Sequence, residues 1–234
     1  MHLIPLVDDV WTREHIVRSA GVRFPGRMTV VRLASGEVWL HSPVPIDDEV
    51  AAELEAVGSV THIIAPNPFH YLFATQAKER YPGATLWAPM TLQRRRKKLT
   101  FDATLEANTG ADAAWSTDLD YRLLEVGPKQ SEAIFYHRAS ETLILTDLVL
   151  NFNDLGHWWT RSFLKMFGGY PGLKQSKLWR WMTKDRDRAK ATVEEILAWP
   201  FERVIMSHGD LIDGPDSRAR LSAALWWMQG APKP

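Results

Sequence analysis

The chain has 234 residues, a length typical of one domain with a large core. Twenty-eight basic residues balance twenty-eight acidic ones, so no overall charge attracts nucleic acid or an acidic partner. The sequence contains no cysteine, which excludes disulfides, thiolate zinc sites and a cysteine nucleophile. We therefore predict a single domain over residues 1–234 that is large enough to fold without a disulfide or a structural metal.

The beginning of the chain bears on the location of the protein. Acidic residues appear at Asp8 and Asp9, before any apolar stretch of signal-peptide length. No part of the sequence approaches the run of about eighteen apolar residues that spans a bilayer. Together with the lack of cysteine, these features predict a cytoplasmic protein.

The first half of the chain is rich in strands and then alternates strands with helices. Met28–Leu33 and Glu37–His41 are β-rich runs separated by Ala-Ser-Gly, which predicts a hairpin. Early acids and spaced apolar residues predict a helix at Asp47–Val57. The next predicted elements are a strand at Thr61–Ala65, a helix at His70–Tyr81, a strand at Ala84–Ala88 and a basic helix or loop at Arg94–Lys98.

The second half begins with three short, closely spaced strands, which predict an antiparallel meander. They are Tyr121–Val126, Glu132–Tyr136 and Thr142–Thr146. A helix at Arg186–Trp199, a strand at Arg203–Met206 and a helix at about 216–229 follow. This order favours two mixed sheets packed together with helices outside. A doubly wound parallel sheet fits less well, because the strand-rich segments lack crossover helices.

Polar residues follow several of these strands directly, namely His41, Asn67, His70, Asp147 and His208. Side chains at strand ends converge when neighbouring strands finish at one edge of a sheet. Histidine and carboxylate are the residue types that bind zinc, iron or manganese. The alternative is that each histidine only hydrogen-bonds within a loop and that each aspartate caps a turn.

His137 differs from these residues because it lies in the turn His-Arg-Ala-Ser-Glu, away from the strand ends considered above. We predict that this histidine is exposed and has no role.

With the strands placed, the sequence resembles the metallo-β-lactamase superfamily, most closely an uncharacterised branch that is a domain of unknown function. Ile63–Phe73 resembles the first metal motif, a strand followed by His-x-His-x-Asp-His, of which only the last histidine, His70, is present. Glu132–Leu148 resembles the strands that deliver the metal-bridging Asp, here Asp147. Val204–Asp210 resembles the final strand with its terminal ligand, here His208.

The resemblance implies a four-layer αββα sandwich and a hydrolase with one zinc, iron or manganese ion at His70, Asp147 and His208. The loss of the other motif ligands argues against a two-metal centre. The remaining candidates for supporting these ligands or for binding a small-molecule ligand are His41, Asn67, Lys129 and Asp210. The alternative function is a metal-free pseudoenzyme that binds a small ligand. The sequence does not name the substrate, because specificity in this fold depends on loop shape.

The region at about 151–182 forms an aromatic and basic insert. It contains Trp158, Trp159, Trp179 and Trp181, and no acid occurs between residues 157 and 182. We predict that the insert covers the polar edge of the sheets, with cationic side chains lying over apolar surface. The alternatives are contact with a membrane surface or with a protein partner. The basic run Arg94–Lys98 lacks interleaved aromatic residues, so we predict a solvated face and no nucleic-acid partner.

Overall fold

The computed structural model describes residues 2–19, 22–106, 113–128 and 130–232, and the elements below belong to these residues. The first half contains β1 (Ile4–Val7), β2 (Val10–Ser19), β3 (Val22–Arg32), β4 (Val38–His41), α1 (Asp48–Val57), β5 (Val60–Ile64), α2 (Ala74–Arg80), β6 (Thr85–Pro89), α3 (Met90–Arg95) and β7 (Ala103–Leu105). The second half contains β8 (Leu119–Gly127), β9 (Gln130–His137), β10 (Thr142–Ile144), β11 (Leu150–Phe152), α4 (Trp158–Met166), β12 (Gly172–Lys174), α5 (Lys177–Met182), α6 (Arg186–Ala198), β13 (Arg203–Ile205), β14 (Ile212–Asp213) and α7 (Ser217–Ala224).

Two mixed sheets form the centre of the molecule. The first has the order β1-β2-β3-β4-β5-β6-β7, antiparallel up to β4 and parallel from there onward. The second has the order β14-β13-β10-β9-β8, in which only the β10–β13 pair is parallel. The parallel strands β4 and β5 therefore end at the same edge, and so do β10 and β13. The residues that follow these four strands carry the candidate site.

Alternation along each strand builds the four layers. On β4, Val38 and Leu40 pack against α1, α2 and α3, whereas Trp39 faces the second sheet. On β9, Ile134 packs against α6 and α7, and Phe135 meets Trp39 between the sheets at a ring distance of 4.9 Å. Successive side chains of a strand point to opposite faces, so each strand contributes to both an outer and a central core. The predicted αββα sandwich of two mixed sheets is confirmed.

Most predicted elements agree with the observed ones, but two helices are shorter than predicted. The helix predicted at about 216–229 covers only Ser217–Ala224. The helix predicted at His70–Tyr81 begins only at Ala74, because the preceding residues form a turn around Asn67. The prediction that His137 is exposed is wrong: its ring is 2% exposed at the end of β9 and contacts the Ser140 hydroxyl. That residues 1–234 form a single domain stays a prediction.

The insert consists of β11, α4, β12 and α5. Its two helices differ in burial. Leu164 of α4 packs in a small apolar cluster with Leu150 and Phe152, while Trp179 of α5 is 2% exposed and belongs to the core beneath α6 and α7. Within the part of the chain that is described, no helix is both long and apolar enough to cross a membrane.

Candidate metal centre

Three candidate ligands meet at the edge where the two sheets face each other. His70 follows β5 of the first sheet, whereas Asp147 and His208 follow β10 and β13 of the second. The His70 Nε2 atom lies 3.3 Å from Asp147 Oδ1 and 3.1 Å from His208 Nε2, and His208 Nε2 lies 3.2 Å from Asp147 Oδ1. The donor atoms thus form a nearly equilateral triangle.

The dimensions of this triangle suit a tetrahedral metal ion. Nitrogen and oxygen ligands lie about 2.0–2.1 Å from zinc, so two of them at a tetrahedral angle are about 3.3 Å apart. The measured edges of 3.1, 3.2 and 3.3 Å agree with that spacing. Two imidazoles and one carboxylate also match the donor types of open, single-metal sites. The residues present therefore fit one ion.

Each imidazole is oriented by a partner on its other ring nitrogen. His208 Nδ1 lies 2.6 Å from the Pro25 carbonyl oxygen, which can only accept, so Nδ1 donates and Nε2 faces the other two candidate ligands. His70 Nδ1 lies 2.7 Å from the Ser42 hydroxyl. Such contacts fix the tautomer and ring orientation of histidines that bind metals.

The side chain of Asn67 supports the Asp147 carboxylate, and Glu132 fixes the backbone that carries it. Asn67 Nδ2 donates to Asp147 Oδ2 at 2.9 Å and to Thr146 Oγ1 at 2.7 Å. Glu132 is fully buried, and its two carboxylate oxygens accept from the backbone N–H groups of Thr146 and Asp147 at 2.7 and 3.0 Å. The backbone that presents Asp147 is thereby tied to β9.

The two acids of this network differ in pKa. Burial raises the pKa of Glu132 to about 7, and the nearby Asp147 charge adds to that rise. Burial acts in the same direction on Asp147, but the charge of His70 and the hydrogen bonds from His208 and His70 outweigh it and hold the pKa of Asp147 well below its ordinary value. Asp147 is therefore an anion at neutral pH, as a metal ligand must be.

A tight backbone contact positions the loop that carries His208. Gly209 has φ +93° and forms an isolated bridge with Asn151, whose backbone N–H donates to the His208 carbonyl at 3.1 Å. The buried Arg27 guanidinium donates to the carbonyls of Met206 and Gly209. These contacts link the loop after β13 to both β11 and β3.

His41 is close to this cluster but is not among its ligand atoms. Its ring is fully buried, stacks on Trp39 at 5.5 Å and meets Phe135 edge-on. Neither ring nitrogen has a hydrogen-bond partner among the described residues. Burial lowers the pKa of His41 to about 3, with a smaller contribution from the charge of His70, so the ring is neutral.

The other sequence-derived candidates lie in different surroundings. Asn67 is the amide that supports Asp147, as described above. Asp210 is exposed and accepts a hydrogen bond from Asn153, outside the triangle. Lys129 lies outside the described residues. Sequence reasoning missed Glu132, although a single acid within the apolar run Glu132–Tyr136 is a recognisable signal of a buried, paired carboxylate.

A largely apolar pocket of about 650 Å³ opens at the three candidate ligands. The insert and the loop after β5 form much of its wall, through Phe69, Leu72, Phe163, Leu164, Phe167, Leu178, Trp179 and Met182. Arg18 and Arg96 also line it, and Asp147 is the only acid among its described lining residues. The insert therefore borders the polar edge, and its role as a cover stays a prediction.

Comparison with solved structures identifies the fold of the protein. The chain is similar to the metallo-beta-lactamase from Pontibacter korlensis, with a TM-score of 0.65 and 16% identity over 97% of this chain and 98% of that one. It is also similar to the metallo-beta-lactamase from Hirschia baltica (TM-score 0.63, 13% identity, 99% and 98% covered) and to FIM-1 from Pseudomonas aeruginosa in its mono-zinc form (0.62, 13%, 94% and 92%). The protein therefore has the metallo-β-lactamase fold.

A match to a family model gives a more specific assignment than the fold alone. Residues 7–155 match the model described as "Domain of unknown function (DUF4336)", which spans more than half of the 234 residues, and the chain belongs to that family. The matched region includes His70 and Asp147, and His208 lies beyond it. No curated protein matches the chain.

Proposed function

We propose that this protein is a divergent hydrolase of the metallo-β-lactamase fold that binds one metal ion at His70, Asp147 and His208. The observation that supports the proposal most strongly is the triangle of three donor atoms at 3.1–3.3 Å. Each donor side chain is also oriented by a second group, namely Ser42, Asn67 or the Pro25 carbonyl. Sites that are arranged in this way favour binding because little reordering is needed.

A divalent zinc ion would lower the pKa of a coordinated water toward about 7 and polarise a carbonyl, which is the chemistry that hydrolysis needs. The chain's own residues supply the rest. In the metal-bound state, His70 and His208 would present neutral Nε2 atoms, and Asp147 would present the single negative charge. The apolar walls of the pocket would accommodate a small substrate with an apolar body.

The residues of the first motif offer too few ligands for a second metal ion. Ala65 and Asn67 stand where the resembling superfamily has its first two histidines, and Phe69 stands where it has an aspartate. Ala65 and Phe69 offer no side-chain ligand. The Asn67 amide already bonds Asp147, Thr146 and the backbone of His70. We therefore propose a stoichiometry of at most one.

The test is elemental analysis by plasma mass spectrometry, after growth in medium supplemented with zinc, iron and manganese. We expect up to one ion per chain in the wild type and none in Asp147→Ala, because removing the only carboxylate leaves two imidazoles against a doubly charged ion. Asp216→Ala is the matched control, since Asp216 is exposed and makes no side-chain cap hydrogen bond. We expect it to retain the wild-type content.

A second candidate function is a pseudoenzyme that binds a small ligand without metal. One observation favours it. His70 Nε2 and His208 Nε2 lie 3.1 Å apart, so when only one of them carries a proton it can donate a hydrogen bond to the other, and no metal is needed between them. Sub-stoichiometric metal that Asp147→Ala does not change would contradict the hydrolase and support this second function.

A further inference from the structure

The insert exposes large apolar side chains that the pocket does not use. Trp158 and Trp159 on α4 are 66% and 44% exposed, Met166 is 62% exposed, and Trp181 on α5 is 73% exposed. Only nine large apolar side chains among the described residues are so exposed, and five of them belong to this insert. Such a concentration marks an interaction surface.

Helical geometry gathers the α4 residues on one side. At about 100° per residue, Trp158, Trp159 and Met166 fall within a sector of about 100°, on the side away from Leu164. Phe163, which lines the pocket, and the buried Leu164 lie on the inward side. The helix is therefore apolar on two faces, of which one packs against the protein and the other has no partner among the described residues.

Positive charge borders this outer stripe. Arg161 and Lys165 are exposed and fall within about 60° of Trp158 around the helix. From residue 155 to residue 184 the chain has no acid, and the exposed lysines 174, 177 and 184 continue the basic character. None of these cations forms an ion pair within the described parts of the chain. Lys184 instead lies over the Trp181 ring at 5.3 Å.

We propose that this outer surface of α4 and α5, defined by Trp158, Trp159, Met166 and Trp181 with Arg161 and Lys165, docks the protein onto an anionic lipid bilayer. Indole rings favour the headgroup region, and lysine and arginine beside them bind anionic lipid. The pocket mouth lies next to this surface, because Phe163 and Leu178 of the same two helices line the pocket. Docking therefore brings the pocket close to the lipid phase.

A second copy of the chain is the less favoured occupant. In a twofold dimer through this face, the same patch would meet itself, so Arg161 and Lys165 would approach their own counterparts. Like charges across an interface oppose association. An anionic bilayer complements both the indoles and the cations of this surface.

Co-sedimentation with lipid vesicles tests the proposal. The wild type should pellet with vesicles that contain phosphatidylglycerol, bind much less to phosphatidylcholine alone, and dissociate at high salt because the attraction is screened. Trp158→Ser with Trp159→Ser should lower the partition coefficient at least about tenfold, since it removes the two interfacial rings of α4. Arg161→Gln with Lys165→Gln should lower it by about fivefold per residue.

The charge control is Arg32→Gln with Arg138→Gln. Both residues are exposed. Arg32 is the last residue of β3 and Arg138 follows β9, at strand ends that lie opposite the candidate site. Ile4→Ser, at a side chain 57% exposed on β1, is the apolar control. Both controls should bind as the wild type does.

Three results would overturn the proposal. The first is a wild type that stays in the supernatant with anionic vesicles. The second is equal binding by the α4 variants and the wild type. The third is a dimer in sedimentation velocity that the Trp158→Ser, Trp159→Ser variant loses, which would identify a second copy as the occupant.

Discussion

Glu132 is a single residue on which the geometry of the candidate ligand Asp147 depends. Its carboxylate accepts three hydrogen bonds, from the backbone of Thr146 and Asp147 and from Asn67 Nδ2 at 3.4 Å. A glutamine at this position keeps one oxygen acceptor but replaces the other oxygen with an NH2 group. This NH2 group would face N–H donors and cannot accept hydrogen bonds from them. Glu132→Gln should therefore lower metal affinity about 10–100-fold, as changes behind a ligand commonly do. Competition with a chromogenic chelator measures this effect.

Glu125→Gln on the neighbouring strand is the matched control for that variant. Glu125 pairs with Arg188 at the surface, where an ion pair contributes little. Its metal affinity should equal that of the wild type. An unchanged affinity in Glu132→Gln would show that Asp147 does not need this support.

At the residue scale, the sequence predicted the three candidate ligands and the supporting residue Asn67, but not the other groups around them. His70, Asp147 and His208 were recognisable because each follows an apolar strand and occupies a place in a known motif order. The Ser42 hydroxyl and the Pro25 carbonyl meet the histidines across 28 and 183 residues of chain, and no local pattern encodes such contacts. His137 was assigned to the surface because its turn sequence is polar, whereas β9 is buried along its whole length.

At the element scale, the loop after β13 depends on a glycine. A Cβ atom on Gly209 would lie 2.0 Å from the Asn151 carbonyl oxygen, and φ is +93°. Gly209→Ala should therefore lower the free energy of unfolding by about 2 kcal/mol or more through clash and backbone strain. It should also weaken metal binding, because His208 is the preceding residue. Urea unfolding and metal analysis measure the two effects.

Gly83→Ala is the control for this backbone effect. A Cβ atom at Gly83 would meet nothing within 4 Å. Its stability should match the wild type within about 0.5 kcal/mol, as for ordinary surface changes. Equal stability of both variants would mean that the loop adapts and that Gly209 has no positioning role.

The sequence predicted β4, β5, β6, β8, β9, β10 and β13 because each contains a short apolar run. It did not single out the long, polar β2 or the very short strands β12 and β14. It extended α2 too far, since Asn67 accepts from the backbone N–H groups of Phe69 and His70 and so turns the chain before the helix begins. Within the insert, composition alone did not separate α4 from α5. Their different roles depend on what each helix packs against, which only the tertiary structure reveals.

At the scale of the whole molecule, metal binding and folding should be separable. The described core has apolar clusters between the sheets and beneath both helix layers, and the candidate site lies at its rim. Chelation should therefore remove the ion without loss of cooperative unfolding. Free metal at about 100 times its Kd would add about 2.7 kcal/mol, so chelation should lower Tm by about 5–10 °C in a domain of this size.

Calorimetry with and without chelator measures that shift, and circular dichroism reports the secondary structure. Asp147→Ala should show no shift, because it has no ion to lose. Collapse of the secondary structure on chelation would mean that the metal is structural instead.

The candidate ligands come from both sheets, which has a mechanical consequence. His70 belongs to the first sheet, and Asp147 and His208, 77 and 138 residues further along, belong to the second. An ion bound by all three side chains would cross-link the two sheets at the edge where they face each other. Like other cross-links, it would close long loops of the chain. It would resist sliding of one sheet over the other while leaving each sheet unchanged internally. The resistance of the two sheets to sliding would therefore differ between the metal-bound and the metal-free protein. This stiffness depends on the interface between the sheets and not on the pocket.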